Sequence, residues 1–374
     1  MSPVGHLAAN MPFQRSAMTI SPNFNFAKIL LNWNKKNNRR EMPWKGEKDP
    51  YKIWLSEIIL QQTRVEQGLN YYKNFIKTFP TINKLAKAQN ERVYKLWEGL
   101  GYYSRCKNLI VTARHIVNNH SGKFPGVYEE IIKLKGIGPY TASAIASFAF
   151  DQPFAVVDGN VFRVLARIFG INKPIDLPEG KRYFNNLANK LLEEKQPAIY
   201  NQAIMDFGAT VCKPVPDCSH CPFRKVCKAR LNNLIGDLPI KAKKQTVKKR
   251  WFYYIVPEFE NKLGLNQRLE KDIWHNLFQF SLIESKKELD QAGILKEAER
   301  KKLLTKNSYQ LITVSPNYHQ RLSHQIISGK FLRIKLKKHQ KKNNGCMWVD
   351  PSGLEKFAFP QFINQYLKEE GIVK

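Results

Sequence analysis

Acid is what this sequence has least of. Of 374 residues only 31 are Asp or Glu, against 61 Lys or Arg, a formal charge of +30. The first forty residues contain no acid at all. A compact chain tolerates such self-repulsion most easily beside a polyanion, so nucleic acid leads as partner class and an anionic membrane surface follows. Long apolar runs are missing too. No stretch approaches the roughly 18 consecutive apolar residues of a membrane span, which excludes an integral membrane protein. Global disorder is excluded by what is present: 43% of residues are hydrophobic and 12% aromatic, enough to bury real cores. At roughly 100–200 residues per domain the length suggests two or three domains. The acid-free beginning superficially resembles a transit peptide, but a disordered tail over residues 1–22, or a true start at Met18, is the stronger reading.

Cysteine is scarce and unevenly placed. Cys106 and Cys346 stand alone, while Cys212, Cys218, Cys221 and Cys227 fall within sixteen residues. A disulfide scaffold would spread them, and no secretory signal precedes them, so the cluster reads as a metal site in a reducing compartment. Zinc and a cubane [4Fe–4S] centre both accept four thiolates. A zinc ribbon usually pairs two CxxC knuckles; here one CxxC is flanked by wide gaps, which favours wrapping around a larger cluster.

From Phe24 to about Lys228 the apolar spacing is helical, as in Val93, Leu96, Trp97, Leu100, and Gly and Pro punctuate an all-α region of about ten short helices. Composition then shifts. Lys241–Arg250 holds six basic residues and no acid, and reads as an exposed linker. Beyond it WFYYIVPEF, YQLITVS and KFLRIKLKK read as strands, with ESKKELDQAGILKEAERKKLL as a helix between them, giving an α+β second domain.

Three further segments carry chemistry. In Leu134-Lys135-Gly136-Ile137-Gly138-Pro139-Tyr140, Pro139 suits the first turn of a helix, and two glycines let the backbone approach a bulky anion. That is the pattern of a helix-hairpin-helix gripping a DNA phosphate, although a GxG turn between helices is more often mere topology. Asp158-Gly159-Asn160 precedes an apolar helix, where the bland reading of Asp158 is an N-cap. Glu57 lies in the nearly continuous apolar helix WLSEIIL; a buried Glu holds its proton near neutral pH, and beside a charged Asp it makes an acid and stabiliser pair.

Taken together, PWKGEKDPYKIWLSEIILQQTRVE, WEGLGYYSRCKNL, LKGIGPYTASAI, VVDGNVFRVLAR and the four-cysteine loop resemble the MutY-type adenine DNA glycosylases of the helix-hairpin-helix superfamily. The resemblance is dense over residues 23–240 and faint over 250–370. It implies a cluster lobe built from 23–45 plus 150–230, a helix-hairpin-helix lobe at 46–149, a basic linker at 231–250 and a Nudix-like lesion-recognition domain at 251–374. It implies a structural [4Fe–4S] cluster on the four cysteines, although the family usually has six residues between the first two and this chain has five.

The resemblance also implies roles. Glu57 is the general acid and Asp158 the charge opposite a developing oxocarbenium ion. Asn160 orients water or Glu57, and Tyr140 hydrogen-bonds Asp158. Gln62 and Thr63 fill the gap left by a flipped base, and Tyr102 is a wedge beside the opposite base. Gly136 and Gly138 grip phosphate. Trp44, Lys45 and Gln202 line the adenine pocket, with Lys45 where Arg is usual. Ser323 and His324 are the polar handles for 8-oxoguanine, and Leu322 replaces an aromatic. The related endonuclease III enzymes carry a Schiff-base Lys where Tyr140 stands, so a monofunctional glycosylase is expected, with an endonuclease III-like bifunctional enzyme for oxidised pyrimidines as the alternative. The expected partner is duplex DNA with A:8-oxoguanine or A:G mispairs, and the expected setting is the bacterial cytoplasm, at the nucleoid. A monomer is expected; a sliding clamp is considered as a further partner and no motif supports it. No metal box of the REx2EExG type occurs in the C-terminal region, which argues against a Nudix hydrolase.

Overall fold

The structure is a computed structural model that describes residues 24–242, 246–338 and 346–373. The tail expected at 1–22 lies outside them. The chain opens with α1 (Phe26–Asn37), which packs on a lobe formed much later. Then α2 (Pro50–Leu60), α3 (Val65–Thr78), α4 (Ile82–Ala86), α5 (Asn90–Trp97), α6 (Ser104–Asn119), α7 (Tyr128–Ile131) and α8 (Pro139–Phe150) enclose one core around Trp54, Phe75, Trp97 and Ile110. The chain returns to α1 with α9 (Gly159–Phe169), α10 (Pro178–Leu191), α11 (Pro197–Thr210) and α12 (Lys228–Leu231), whose core holds Phe26, Leu30, Val164, Phe207 and Phe223.

Local sequence sets the starts of the helices that matter most. Asp49 caps α2 by accepting from the Tyr51 amide, and Pro50 occupies its first turn. Pro139 starts α8 directly after Gly138. Asp158 caps α9, and Gly170, at φ +63°, ends it in the left-handed conformation.

Among the described residues the C-terminal domain forms a mixed eight-stranded sheet: β1 (Lys248–Phe259), β2 (Lys262–Gln267), β3 (Phe278–Gln279), β4 (Ser281–Ser285), β5 (Tyr309–Val314), β6 (Tyr318–Arg321), β7 (Gln325–Leu336) and β8 (Met347–Val349). The main path runs β3-β2-β1-β7-β5, with β1 and β7 parallel at the centre. Phe252 pairs with Gly329 there, and a Cβ at 329 would come within 1.6 Å of the Phe252 carbonyl, so the close approach needs glycine. One sheet face packs on α13 (Gln291–Arg300). The other, with Phe252, Tyr254 and Phe331, packs on α14 (Gln361–Glu369) and is continuous with the first helical core.

Polar contacts pin this docking. Glu98 Oε1 accepts from the Phe359 amide at 2.7 Å and from Asn364 Nδ2 at 2.9 Å. Lys95 Nζ donates to the Phe357 carbonyl at 3.0 Å, and Asn276 Nδ2 to the Tyr94 hydroxyl at 2.8 Å.

Several boundaries differ from those read off the sequence. The expected linker at 231–250 is folded at both ends: Leu238 is buried in the second helical core, and Lys248–Arg250 already belong to β1. Arg250 is buried because Asp272 and Glu284 both pair with its guanidinium, which stacks over the Phe252 ring. The helix read from Glu284 onward begins only at Gln291, because Ser281–Ser285 pair with β1. The short strands β2, β3, β6 and β8 and the helix α14 carried too little periodicity to be noticed.

Candidate active site

A cleft of about 980 Å³ opens between the two helical lobes, and Trp44, Glu57, Tyr140, Asp158 and Gln202 line it. Glu57 projects from α2 and is only 8% exposed. Burial pushes its pKa up to about 7; a hydrogen bond from the Tyr140 hydroxyl works against that rise, and the Asp158 charge adds to it. Asp158 faces it from the start of α9. Its Oδ1 accepts from the Val161 amide at 2.7 Å and its Oδ2 from Asn160 Nδ2 at 2.7 Å. Burial raises the Asp158 pKa, and these bonds together with Arg163 oppose the rise. The N-cap reading of Asp158 and the functional one are therefore the same geometry.

Two expected contacts are corrected. Tyr140 hydrogen-bonds Glu57, not Asp158, because α8 places its ring beside α2, and its phenol pKa is driven well up by burial and by both carboxylates. Asn160 turns to Asp158 instead of Glu57, since its own oxygen is held by Arg163 Nη2 at 2.8 Å. Arg163 also donates to the Cys212 carbonyl at 2.8 Å, joining the acid's neighbourhood to the cysteine loop.

Gln62 and Thr63 line the cleft just beyond α2. Gln62 at φ 58° and Tyr102 at φ 47° both adopt the left-handed conformation, uncommon for side-chain-bearing residues and concentrated at functional sites. Tyr102 is not in the cleft. It lines a second cavity of about 630 Å³ between the first lobe and the sheet domain, together with Ser323 and His324. The Tyr102 and Ser323 hydroxyls are hydrogen-bonded. In the hairpin Gly136 sits at φ +80° against Asn108, whereas a Cβ on Gly138 would meet nothing, leaving that approach open.

Two residues of weight were missed in the sequence. Arg105 is buried and donates to the carbonyls of Ile58, Ile59 and Gln61 at the end of α2, and to those of Leu100 and Gly101 before Tyr102. Asp206 is fully buried on α11 and gathers Arg40, Lys45 and Gln202. Its spacing of four from Gln202, on one helix face, was the available signal.

The four clustered cysteines are unbridged and line one small cavity. Burial raises the thiol pKa of Cys212, Cys221 and Cys227, and Arg167 Nη1 donates to Cys212 Sγ at 3.7 Å. Among the described residues no three His, Cys, Asp or Glu side chains are grouped to hold a metal ion.

Residues 55–193 match the family of HhH-GPD superfamily base excision DNA repair proteins. The chain is 39% identical over 261 residues to the adenine DNA glycosylase of Buchnera aphidicola subsp. Baizongia pistaciae, covering 68% of this chain and 73% of that protein. The chain belongs to the adenine DNA glycosylase family. A second member, from Buchnera aphidicola subsp. Acyrthosiphon pisum, is 31% identical over 92% of this chain and 97% of its own, so this similarity extends over the sheet domain. The mouse adenine DNA glycosylase is 41% identical over 214 residues, 54% of this chain and 41% of that one. Among solved structures, a thermostable thymine-DNA glycosylase is similar over 55% of this chain and 95% of its own, at 29% identity and a TM-score of 0.51. That structure is of an enzyme named for a different base.

Proposed function

We propose that the chain is a monofunctional glycosylase of base excision repair that hydrolyses the N-glycosidic bond of adenine mispaired with 8-oxoguanine or guanine in duplex DNA. The observation that carries this reading is a buried Glu57 sharing with Asp158 a cleft large enough for a base. Turning a base out of the stack costs a few kcal/mol, and Gln62, Thr63 and Tyr102 are suited to occupy the space it leaves. Trp44, Lys45 and Gln202 line the pocket that receives adenine.

Adenine leaves as a neutral base once a ring nitrogen is protonated. Glu57 gives that proton as the C1′–N bond breaks and its electron pair moves to the base. The sugar becomes oxocarbenium-like, and Asp158 stabilises it by its charge or by a transient bond at C1′. Water then attacks C1′ and returns a proton to Glu57; where Asp158 has bonded to C1′, its oxygen leaves with the bonding pair in the same step. The Asn160 bond holds Asp158 in place, and the Tyr140 bond holds Glu57. Tyr140 has no amine, so no imine forms with the sugar and the strand stays intact.

Cys212, Cys218, Cys221 and Cys227 suit a [4Fe–4S] cluster. All four thiols line one small cavity, and four thiolates are the donor set such a cluster would take. When bound, the cluster stabilises this loop for DNA binding. Gly136 and Gly138 grip phosphate. The sheet domain is Nudix-like, and Ser323 and His324 read the base opposite adenine. The enzyme acts as a monomer at the bacterial nucleoid.

The test is single-turnover cleavage of A:8-oxoguanine, A:G and A:C duplexes, with and without alkali. Adenine release from the first two, with strand breaks only after alkali and no borohydride trapping, is expected. Efficient trapping by the wild-type protein, or release of oxidised pyrimidine instead of adenine, would overturn the reading.

A further inference from the structure

The acid and its partner explain how a base leaves, but not why that base is adenine. Asp206 bears on this, and none of the chemistry above uses it. It is fully buried, and four donors converge on its carboxylate: Arg40 Nη1 at 2.9 Å, Asn38 Nδ2 at 2.8 Å, Lys45 Nζ at 3.2 Å and Gln202 Nε2 at 2.9 Å. Arg40, Lys45 and Gln202 also line the cleft. The two cations satisfy the acid's charge, as a buried carboxylate requires.

The consequence for Gln202 is one of polarity. A carboxylate only accepts, so the Gln202 amide must turn its NH2 toward Asp206. The amide is planar, so Oε1 is held on the other side of the group, on a residue that lines the cleft. An acceptor there suits the exocyclic amino group of adenine. It meets a purine carrying a carbonyl in the same place as acceptor against acceptor.

We propose that Asp206 is a positioning residue for base selectivity: it fixes the Gln202 amide so that its oxygen faces the base, favouring an amino-bearing purine over an oxo-bearing one. This rests on the adenine reading above. An Asn at 206 could donate to Gln202 Oε1, allow the amide to reverse, and present NH2 to the base instead.

The test uses the full chain and duplexes carrying adenine or hypoxanthine opposite 8-oxoguanine, with single-turnover release of each measured. Asp206→Asn should lower the adenine-to-hypoxanthine rate ratio by about tenfold, the worth of one hydrogen bond gained or lost. Gln202→Leu should lower it comparably, and the double variant no further, because both act through one amide. An equal fall in both rates for Asp206→Asn, with the ratio unchanged, would mean a purely structural acid and overturn the inference. Should Asp206→Asn fail to fold, an unchanged ratio in Gln202→Leu would overturn it equally. Wild-type protein that releases no adenine would instead overturn the adenine reading itself, so the two failures are distinguishable.

Discussion

Two cavities of this protein are built on opposite principles. The cleft between the helical lobes takes its reactive groups from helix interiors and helix starts, each locked by near neighbours: Asp158 by the Val161 amide and Asn160, Glu57 by burial in α2 and by Tyr140. The cavity under the sheet domain is assembled from loops of two domains, and the Tyr102–Ser323 contact spans 221 positions of sequence. Chemistry needs groups preorganised to fractions of an ångström, which rigid elements supply. On the function proposed above, the second cavity would read the opposing base, with a surface supplied by the docked domain. Loss of the carboxylates of the first cavity should therefore abolish the reaction, and damage to the second should alter its preference for the opposing base.

The sharpest division comes from Glu57→Gln. Adenine release should fall by a factor on the order of 10²–10⁴ or more while duplex affinity stays near wild type, because the lost proton matters in the transition state and not in docking. Single-turnover rates beside equilibrium binding check this. Weakened binding of similar size would blur the comparison.

Next in size is the second cavity. Ser323→Ala combined with His324→Ala should lower the preference for A:8-oxoguanine over A:G by about tenfold, as expected for loss of one or two hydrogen bonds, with A:G cleavage little changed. An equal loss on both substrates would break the distinction between the cavities.

Glu57 should also mark the first cavity by its pH dependence. Its pKa in the folded chain, about 7, lies above the ordinary value near 4.5. The folded state therefore binds the proton more tightly than the unfolded one, and this stability is present below about 4.5 and lost as pH rises through 7. Adenine release should decline above pH 7. Glu57→Gln, which has no proton to lose, should melt higher than wild type at pH 8, with the gap narrowing as the pH is lowered toward 5. A gap that widened on acidification would contradict the burial of this acid.

The smallest effect should come from the docking contact between the end of α5 and the sheet domain. Glu98 ends at the loop carrying Tyr102 and holds Phe359 and Asn364 of the sheet domain. Glu98→Ala should reduce the 8-oxoguanine preference a few-fold, in the same direction as the Ser323 and His324 pair, because it removes hydrogen bonds of about 1 kcal/mol each. Retention of the preference by Glu98→Gln, whose Oε1 can still accept from the Phe359 amide and Asn364, would show that docking carries the effect.

What the sequence determined by itself is local. The Asp49 and Asp158 caps, Pro139 after a GxG turn, the apolar helix around Glu57 and the four-cysteine spacing each depend on residues within a few positions, and contacts of that range are legible in the string. They were enough to single out Glu57, Asp158 and the four clustered cysteines as candidates. Tertiary structure alone decided which oxygen Tyr140 serves, how far burial lifts Glu57, where Arg105 ties α2 to the Tyr102 loop, and that Asp206 is shared by Arg40, Lys45 and Gln202. It likewise put Arg250, read as part of an exposed basic linker, inside a strand between two acids. The physical reason is common to all of these. Desolvation and ion pairing depend on which side chains close around a group, and here those chains come from the loop between α1 and α2, from α6, α8, α11 and the sheet, brought together by packing and not by spacing along the chain.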